Sequence, residues 1–198
     1  MMKAMKHSST SQKQTPYLLI VLGSLVGGIA ALLQTIERIQ WADHPTRALV
    51  CDINNAFSCS NVFAAWQSNV FGFSNALLCL TFFAVMLGFG IAVYKSKETA
   101  RLPRLIAQFF SLFFLCFGAW YITQLMFVIG SMCIYCIACY AGVIAINWGW
   151  LRANVDDLPL PKKAIGSLKN GIAKGADTFL WLLYALFFVA LFLFRFYI

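Results

Sequence analysis

Four cysteines in this sequence have the spacing of redox chemistry. Cys133 and Cys136 form Cys-Ile-Tyr-Cys, a CxxC, and Cys51 and Cys59 stand eight positions apart. Residues at i and i+3 share a helix face, so a CxxC that opens a helix brings its two sulfurs toward bonding distance. The partial positive charge of a helix N-terminus favours thiolate and lowers a cysteine pKa. A lowered pKa makes the sulfur a better leaving group and a more populated nucleophile. The competing readings are a structural zinc site and an inert disulfide. Zinc takes four ligands, and the segment 37–73 supplies only His44 besides Cys51 and Cys59. No metal is expected.

Three further cysteines invite less chemistry. Cys139 extends the run to Cys-x2-Cys-x2-Cys, but the iron–sulfur pattern wants a fourth cysteine where Val143 stands. At about 100° per residue, Cys139 also turns some 120° away from Cys133. It reads as a small buried hydrophobe, and so do Cys79 and Cys116.

The elements that must position these cysteines follow from composition. Of 198 residues, 61% are hydrophobic and 11% charged, against about half and a quarter in soluble domains. Disorder is excluded by the same figures, and most of the apolar excess must face lipid. The net charge of +8 would suggest nucleic acid in a soluble chain, but in a membrane chain it reports topology. No nucleic-acid partner is expected.

Five uncharged segments reach the length of a bilayer crossing: 17–36, 76–94, two within the charge-free stretch 105–151, and 178–194. Gly130-Ser131 is the natural turn inside 105–151. All five prolines fall outside these segments, as unbroken helices require. The chain is therefore expected to be an all-α integral membrane protein. A four-helix transmembrane bundle occupies 17–151, and a fifth transmembrane helix lies in 178–198. No small-residue cleavage pattern follows the first segment, so it is read as retained. Its Gly23-x3-Gly27 pair is a helix-packing motif.

Twelve basic residues lie in the tail 1–16 (Lys3, Lys6, Lys13), after the second span (Lys95, Lys97, Arg101, Arg104) and in the linker 152–177 (Arg152, Lys162, Lys163, Lys169, Lys174). The intervening loop 37–73 holds only Arg38 and Arg47. The positive-inside rule puts the first group in the cytoplasm and the 37–73 loop outside. Both cysteine pairs then meet at one membrane face, 74 residues apart in sequence. Near them, Cys133, Cys136 and Tyr140 fall on one stripe of the fourth helix. Asn75 enters the bilayer at the outer end of the second, which is costly unless paired. Asn75 and Tyr140 are candidates to donate hydrogen bonds to quinone carbonyls; a helix cap and an interfacial aromatic are the plainer roles. Between them, Val62, Phe63, Trp66 and Val70 have the spacing of a short amphipathic surface helix with Ser60 as N-cap.

As a set, Cys51-Asp52-x6-Cys59-Ser60-x-Val62-Phe63, then Ser74-Asn75, then Cys133-Ile-x-Cys136-Ile-x-x-Tyr140-Ala resembles the vitamin K epoxide reductase family over roughly residues 17–150. The resemblance implies a four-helix bundle around a quinone, with loop cysteines relaying electrons from a dithiol partner to the CxxC. By position, Cys51 would meet the partner, Cys59 would exchange with Cys133, and Cys136 would react with quinone held by Asn75 and Tyr140. Many bacterial members carry a fused thioredoxin-like domain after the fifth span. Here a thioredoxin-like partner is expected in trans.

The function so implied is a membrane thiol–disulfide oxidoreductase that oxidises a dithiol and reduces a quinone, supporting disulfide formation. The alternatives are a vitamin K epoxide reductase proper and a non-enzymatic membrane protein with static outside disulfides. The four-span bacterial disulfide-forming membrane protein has its CxxC in the first outside loop, the reverse of the order here. The expected setting is a bacterial inner membrane with the cysteines toward the periplasm, or, in a eukaryote, the ER membrane with them toward the lumen.

Overall fold

Within lipid every backbone polar group must be satisfied internally, so an apolar crossing segment becomes a helix. The computed structural model describes residues 2–46, 49–95 and 100–198. Arg47 and Lys97, and the side chains of Lys3, Lys6 and Lys13, lie outside the described residues. The α-helices are α1 (Met2–Asp43), α2 (Cys59–Ala64), α3 (Asn75–Lys95), α4 (Arg101–Gln124), α5 (Ile134–Asn154), α6 (Lys162–Ala173) and α7 (Ala176–Tyr197). No strand longer than an isolated bridge occurs among the described residues. Among the described residues, five helices are long and apolar enough to cross a membrane: α1, α3, α4 with its continuation to Ile129, α5 and α7. The protein is a multi-pass integral membrane protein.

Several boundaries differ from the sequence reading. Helix α1 runs through Pro16, because the polar tail continues the helix beyond the apolar segment. Pro103 falls in the first turn of α4, where the missing N–H has no helical partner to lose. The linker 152–177 contains α6, whose apolar and lysine-bearing faces recur at helical spacing.

The core is the crossing of α1 and α5, and it depends on glycine. A Cβ added to Gly142 would stand 2.6 Å from Gly23 O and 3.1 Å from Gly27 Cα, and on the α3 side one added to Gly27 would stand 2.2 Å from the Phe83 ring. Only residues without side chains let the backbones approach this closely. Ile20, Phe83, Ile146 and Trp150 fill the space around the crossing and are fully buried.

Helix α4 continues through a π-helical turn, Leu125–Ile129, which ends at Gly130 with φ +72°. That left-handed residue reverses the chain at little cost only because it is glycine. The loop before α2 is stitched to the turn by backbone bonds, Met132 N to Ala56 O at 2.7 Å and Ser58 N to Met132 O at 3.0 Å. Asn61 Nδ2 adds a bond to Ser131 Oγ at 3.0 Å. This clasp carries the start of α2 onto the start of α5.

The expected amphipathic helix is shorter than its spacing suggests. Ser58, not Ser60, is the N-cap of α2, accepting from Asn61 N. The helix stops at Ala65, which is extended, and a 3-10 turn follows over Trp66–Asn69. Val62 and Phe63 point into the core while Trp66 is 67% exposed. Arg38 fastens this cap to α1. It donates to Phe63 O and Asn69 Oδ1 and lies over the Trp41 and Phe63 rings.

Candidate redox site

Cys51 and Cys59 are joined as a disulfide across a Cα separation of 5.6 Å. Cys59 begins α2 and Cys133 is the N-cap of α5, so the loop clasp sets their Sγ atoms 3.1 Å apart. Cys133 and Cys136 are thiols, and Cys136 follows within the first turn of α5. The sulfurs of Cys51, Cys59 and Cys133 all lie within 4.8 Å of one another. Three such sulfurs fall one short of a tetrahedral zinc site, and a disulfide sulfur is a poor ligand. The arrangement suits exchange, in which a thiolate attacks a neighbouring disulfide.

Local hydrogen bonds favour the thiolate at Cys133. The Cys136 thiol, donating to its sulfur, is the largest influence holding Cys133 below the ordinary thiol range. Burial works against it, and the backbone N–H groups of Cys136 and Tyr135 add to it. These are the free N–H groups of a helix start, as the CxxC position leads one to expect.

Asp52 fixes the loop that carries the first pair. It accepts from Ser58 Oγ at 2.9 Å, Ser60 N at 3.0 Å and Leu49 N at 3.2 Å, and also from Ser60 Oγ. Partial burial opposes its charge, but the bonds from Ser60, Ser58 and Leu49 outweigh it and hold its carboxyl below the usual range. Ser60 therefore serves Asp52 rather than capping the helix.

Inward of Cys136 lies a small, mostly apolar cavity that is partly open at one side. Its walls come from α1, α3, α4 and α5, and they include Asn75, Cys136, Cys139 and Tyr140. The stripe expected on α5 thus divides: Cys136 and Tyr140 face the cavity while Cys133 turns to Cys59. Cys79 also lines it, and Cys116 is exposed on the outer face of α4.

The polar groups of the cavity are few and specific. Asn75 donates from Nδ2 to Gln67 O at 2.7 Å, and its Oδ1 is buried without a partner. Ser74 Oγ, not Asn75, accepts from the start of α3, at Ala76 N. Tyr121 pairs with Ser68 Oγ at 2.8 Å, and Ser68 donates its one proton to Val62 O, so Tyr121 is the donor of that pair. Gln34 donates from Nε2 to Cys136 Sγ at 3.2 Å. The Tyr140 hydroxyl bonds to that of Tyr184 in α7.

Helix α7 is otherwise peripheral, and Asp177 is its only buried residue. Asp177 accepts from Trp148 Nε1 at 2.8 Å and Arg152 Nε at 2.5 Å. At the far end Phe192 packs on Phe57, ring centres 5.4 Å apart. The fifth helix is thus tied to the bundle at both ends and at the cavity wall.

Sequence reasoning passed over Gln34, Glu37, Tyr121 and Tyr184. Gln34 and Glu37 did leave a signal, since polar side chains in an apolar crossing are costly and mark partners. The tyrosines left none among seven in the chain. The profile of the Vitamin K epoxide reductase family matches residues 18–150. No curated protein matches the chain.

Proposed function

The chain belongs to the Vitamin K epoxide reductase family of membrane oxidoreductases, and from that premise we propose that it passes electrons from a dithiol protein to a quinone. One observation carries the reading. Cys59 is bonded to Cys51 and touches Cys133, whose CxxC partner Cys136 opens onto the cavity. Sulfur therefore runs without a gap from the outer loop to a space among the membrane helices.

In this reading Cys51 receives the partner's thiolate. It is fully buried, but its neighbours Val50 and Ile53 are 81% and 62% exposed. They form an apolar lip on which an extended segment of a thioredoxin-like protein docks as the loop opens. Cys59 then exchanges with Cys133, and Cys136 delivers the electron pair to the quinone. Disulfide formation in proteins outside the membrane is the process so served, with the cysteines on the face opposite the lysine-rich tail and linker.

The cavity suits a quinone as substrate. It is apolar with a small number of fixed polar groups, the usual form of a small-ligand site. The unpartnered Asn75 Oδ1 is an acceptor, which fits the O–H of a hydroquinone. Its remaining N–H, and that of Gln34, are the donors available to quinone oxygens. The Tyr140 ring forms part of the wall, and its hydroxyl, bonded to Tyr184 and donating to Leu115 O at 3.5 Å, reaches the ligand only by giving up one of these partners.

The test is anaerobic mixing of the reduced protein with a soluble quinone, following quinone absorbance. Loss of one quinone per dithiol is expected. No absorbance change over minutes returns the four cysteines to structural roles.

A further inference from the structure

Glu37 lies near the outer end of α1, is 7% exposed and forms no ion pair among the described residues. A buried charge without a cation is expensive, and the adjacent cation, Arg38, is turned toward Phe63 and Asn69. Glu37 instead divides its oxygens between the two redox pairs. Its Oε2 lies 3.2 Å from Cys51 Sγ, and its Oε1 accepts from the Tyr135 hydroxyl, inside the CxxC, at 3.0 Å. Cys133 is close enough for its ionisation to feel the carboxylate. Among the described residues, the titratable groups facing Glu37 are therefore Cys51 from the loop, and Tyr135 and Cys133 from α5 and its cap.

We propose that Glu37 is the acid–base group of Cys51, holding the proton that this sulfur gains and loses in each cycle. The assignment rests on the reading that Cys51 meets the dithiol partner. The partner's first thiolate attacks Cys51, and the electron pair of the Cys51–Cys59 bond leaves on Cys59. Cys59 attacks Cys133 of an oxidised CxxC, and the pair of that bond leaves on Cys136. The partner's second thiolate then closes the partner's own disulfide, releasing Cys51 as thiolate. Protonated Glu37 gives its proton to Cys51 and becomes a carboxylate.

The return step uses the same proton in reverse. Glu37 takes it back from the Cys51 thiol as that sulfur attacks Cys59. The loop disulfide re-forms, and the electron pair of the Cys59–Cys133 bond leaves on Cys133. Two electrons have then passed from the partner dithiol to Cys133 and Cys136, and Glu37 is protonated as at the start. The Tyr135 hydroxyl bond holds the carboxyl in place while its other oxygen works.

The test uses the full chain in lipid nanodiscs with a reduced thioredoxin-type protein and a soluble quinone. Turnover is measured against pH for the parent and Glu37→Gln. The variant should lose at least about tenfold near pH 6, and its deficit against the parent should narrow as pH rises toward about 9, because rising pH ionises the thiol without a local base. A Glu37→Gln profile parallel to the parent's overturns the assignment. A parent that reduces no quinone overturns the function proposed above instead. If Glu37→Gln fails to insert, the infrared difference spectrum of the parent between reduced and oxidised states decides. A carboxyl band that changes between them and shifts in Glu37→Asp is expected, and its absence overturns the assignment.

Discussion

Cys59 Sγ is bonded to Cys51 and lies 3.1 Å from Cys133 Sγ, so one sulfur touches both redox pairs. Exchange passes through a mixed disulfide that a resolving thiol normally breaks. With Cys51 and Cys136 both changed to Ala, neither resolving thiol remains. The Cys59–Cys133 bond should then accumulate under mild oxidation and appear as a cross-linked peptide by mass spectrometry. Recovery of both cysteines as free thiols would remove the relay.

Cys136 is the CxxC cysteine that lines the cavity. Cys136→Ser should reduce quinone at no more than a few per cent of the parent rate while inserting and unfolding normally. Cys139 lines the same cavity but contacts Gly27 O rather than another redox sulfur, so Cys139→Ala should keep most of the activity. A large loss there would give Cys139 a chemical role.

Tyr140 and Tyr184 share a hydroxyl contact at the cavity wall, which allows two roles to be separated. A lost hydrogen bond costs about 0.5–1.5 kcal/mol, and about 1.4 kcal/mol is tenfold in affinity. Tyr140→Phe should weaken quinone binding by several-fold to tenfold, and Tyr184→Phe by less. Equal losses in apparent affinity would assign the Tyr140 hydroxyl to holding α7. Asn75→Ala should weaken binding too, read as a smaller quinone-induced thermal shift.

Asp52 links its loop to stability through pH. Its folded pKa is depressed, so its contribution is present above the unfolded carboxylate value of about 3.9 and is lost as pH falls through the folded one. Asp52→Asn should lower stability near neutral pH by about 1 kcal/mol, charge-assisted bonds being discounted here for partial exposure. The difference from the parent should fade in acid. Thermal unfolding at about pH 7 and pH 3 checks this, and an equal deficit at both would mean packing rather than charge.

The α1–α5 crossing should be intolerant of one methyl group. Gly142→Ala forces backbone apart at Gly23 and should cost about 1–3 kcal/mol by overpacking. Gly88→Ala, where a Cβ meets nothing within 4 Å, should be neutral or stabilising in its helix. Paired unfolding midpoints in one detergent compare them, and equal values would deny the crossing its tightness.

The sequence by itself determined the five crossings, because a bilayer demands some 20 apolar residues in a row and admits only helix in isolation. It also marked the CxxC at a helix start and the close-packing Gly23 and Gly27, since both signals are local. The lengths of α1 and α2 escaped it: helix ends are set by caps and neighbours, as where Asp52 claims Ser60 and Ser58 becomes the cap. The residues alone left open which sulfur touches which; the family resemblance implied that Cys59 would exchange with Cys133, and the tertiary structure supplies the contact itself. The Cys59–Cys133 contact spans 74 residues and is made by backbone bonds between the loop and the 130–132 turn, which leave no periodicity in side-chain type. The same holds for Glu37 on Cys51, Gln34 on Cys136 and Tyr184 on Tyr140. Each joins elements whose relative rotation depends on how the glycine crossing packs, and no single segment encodes that rotation.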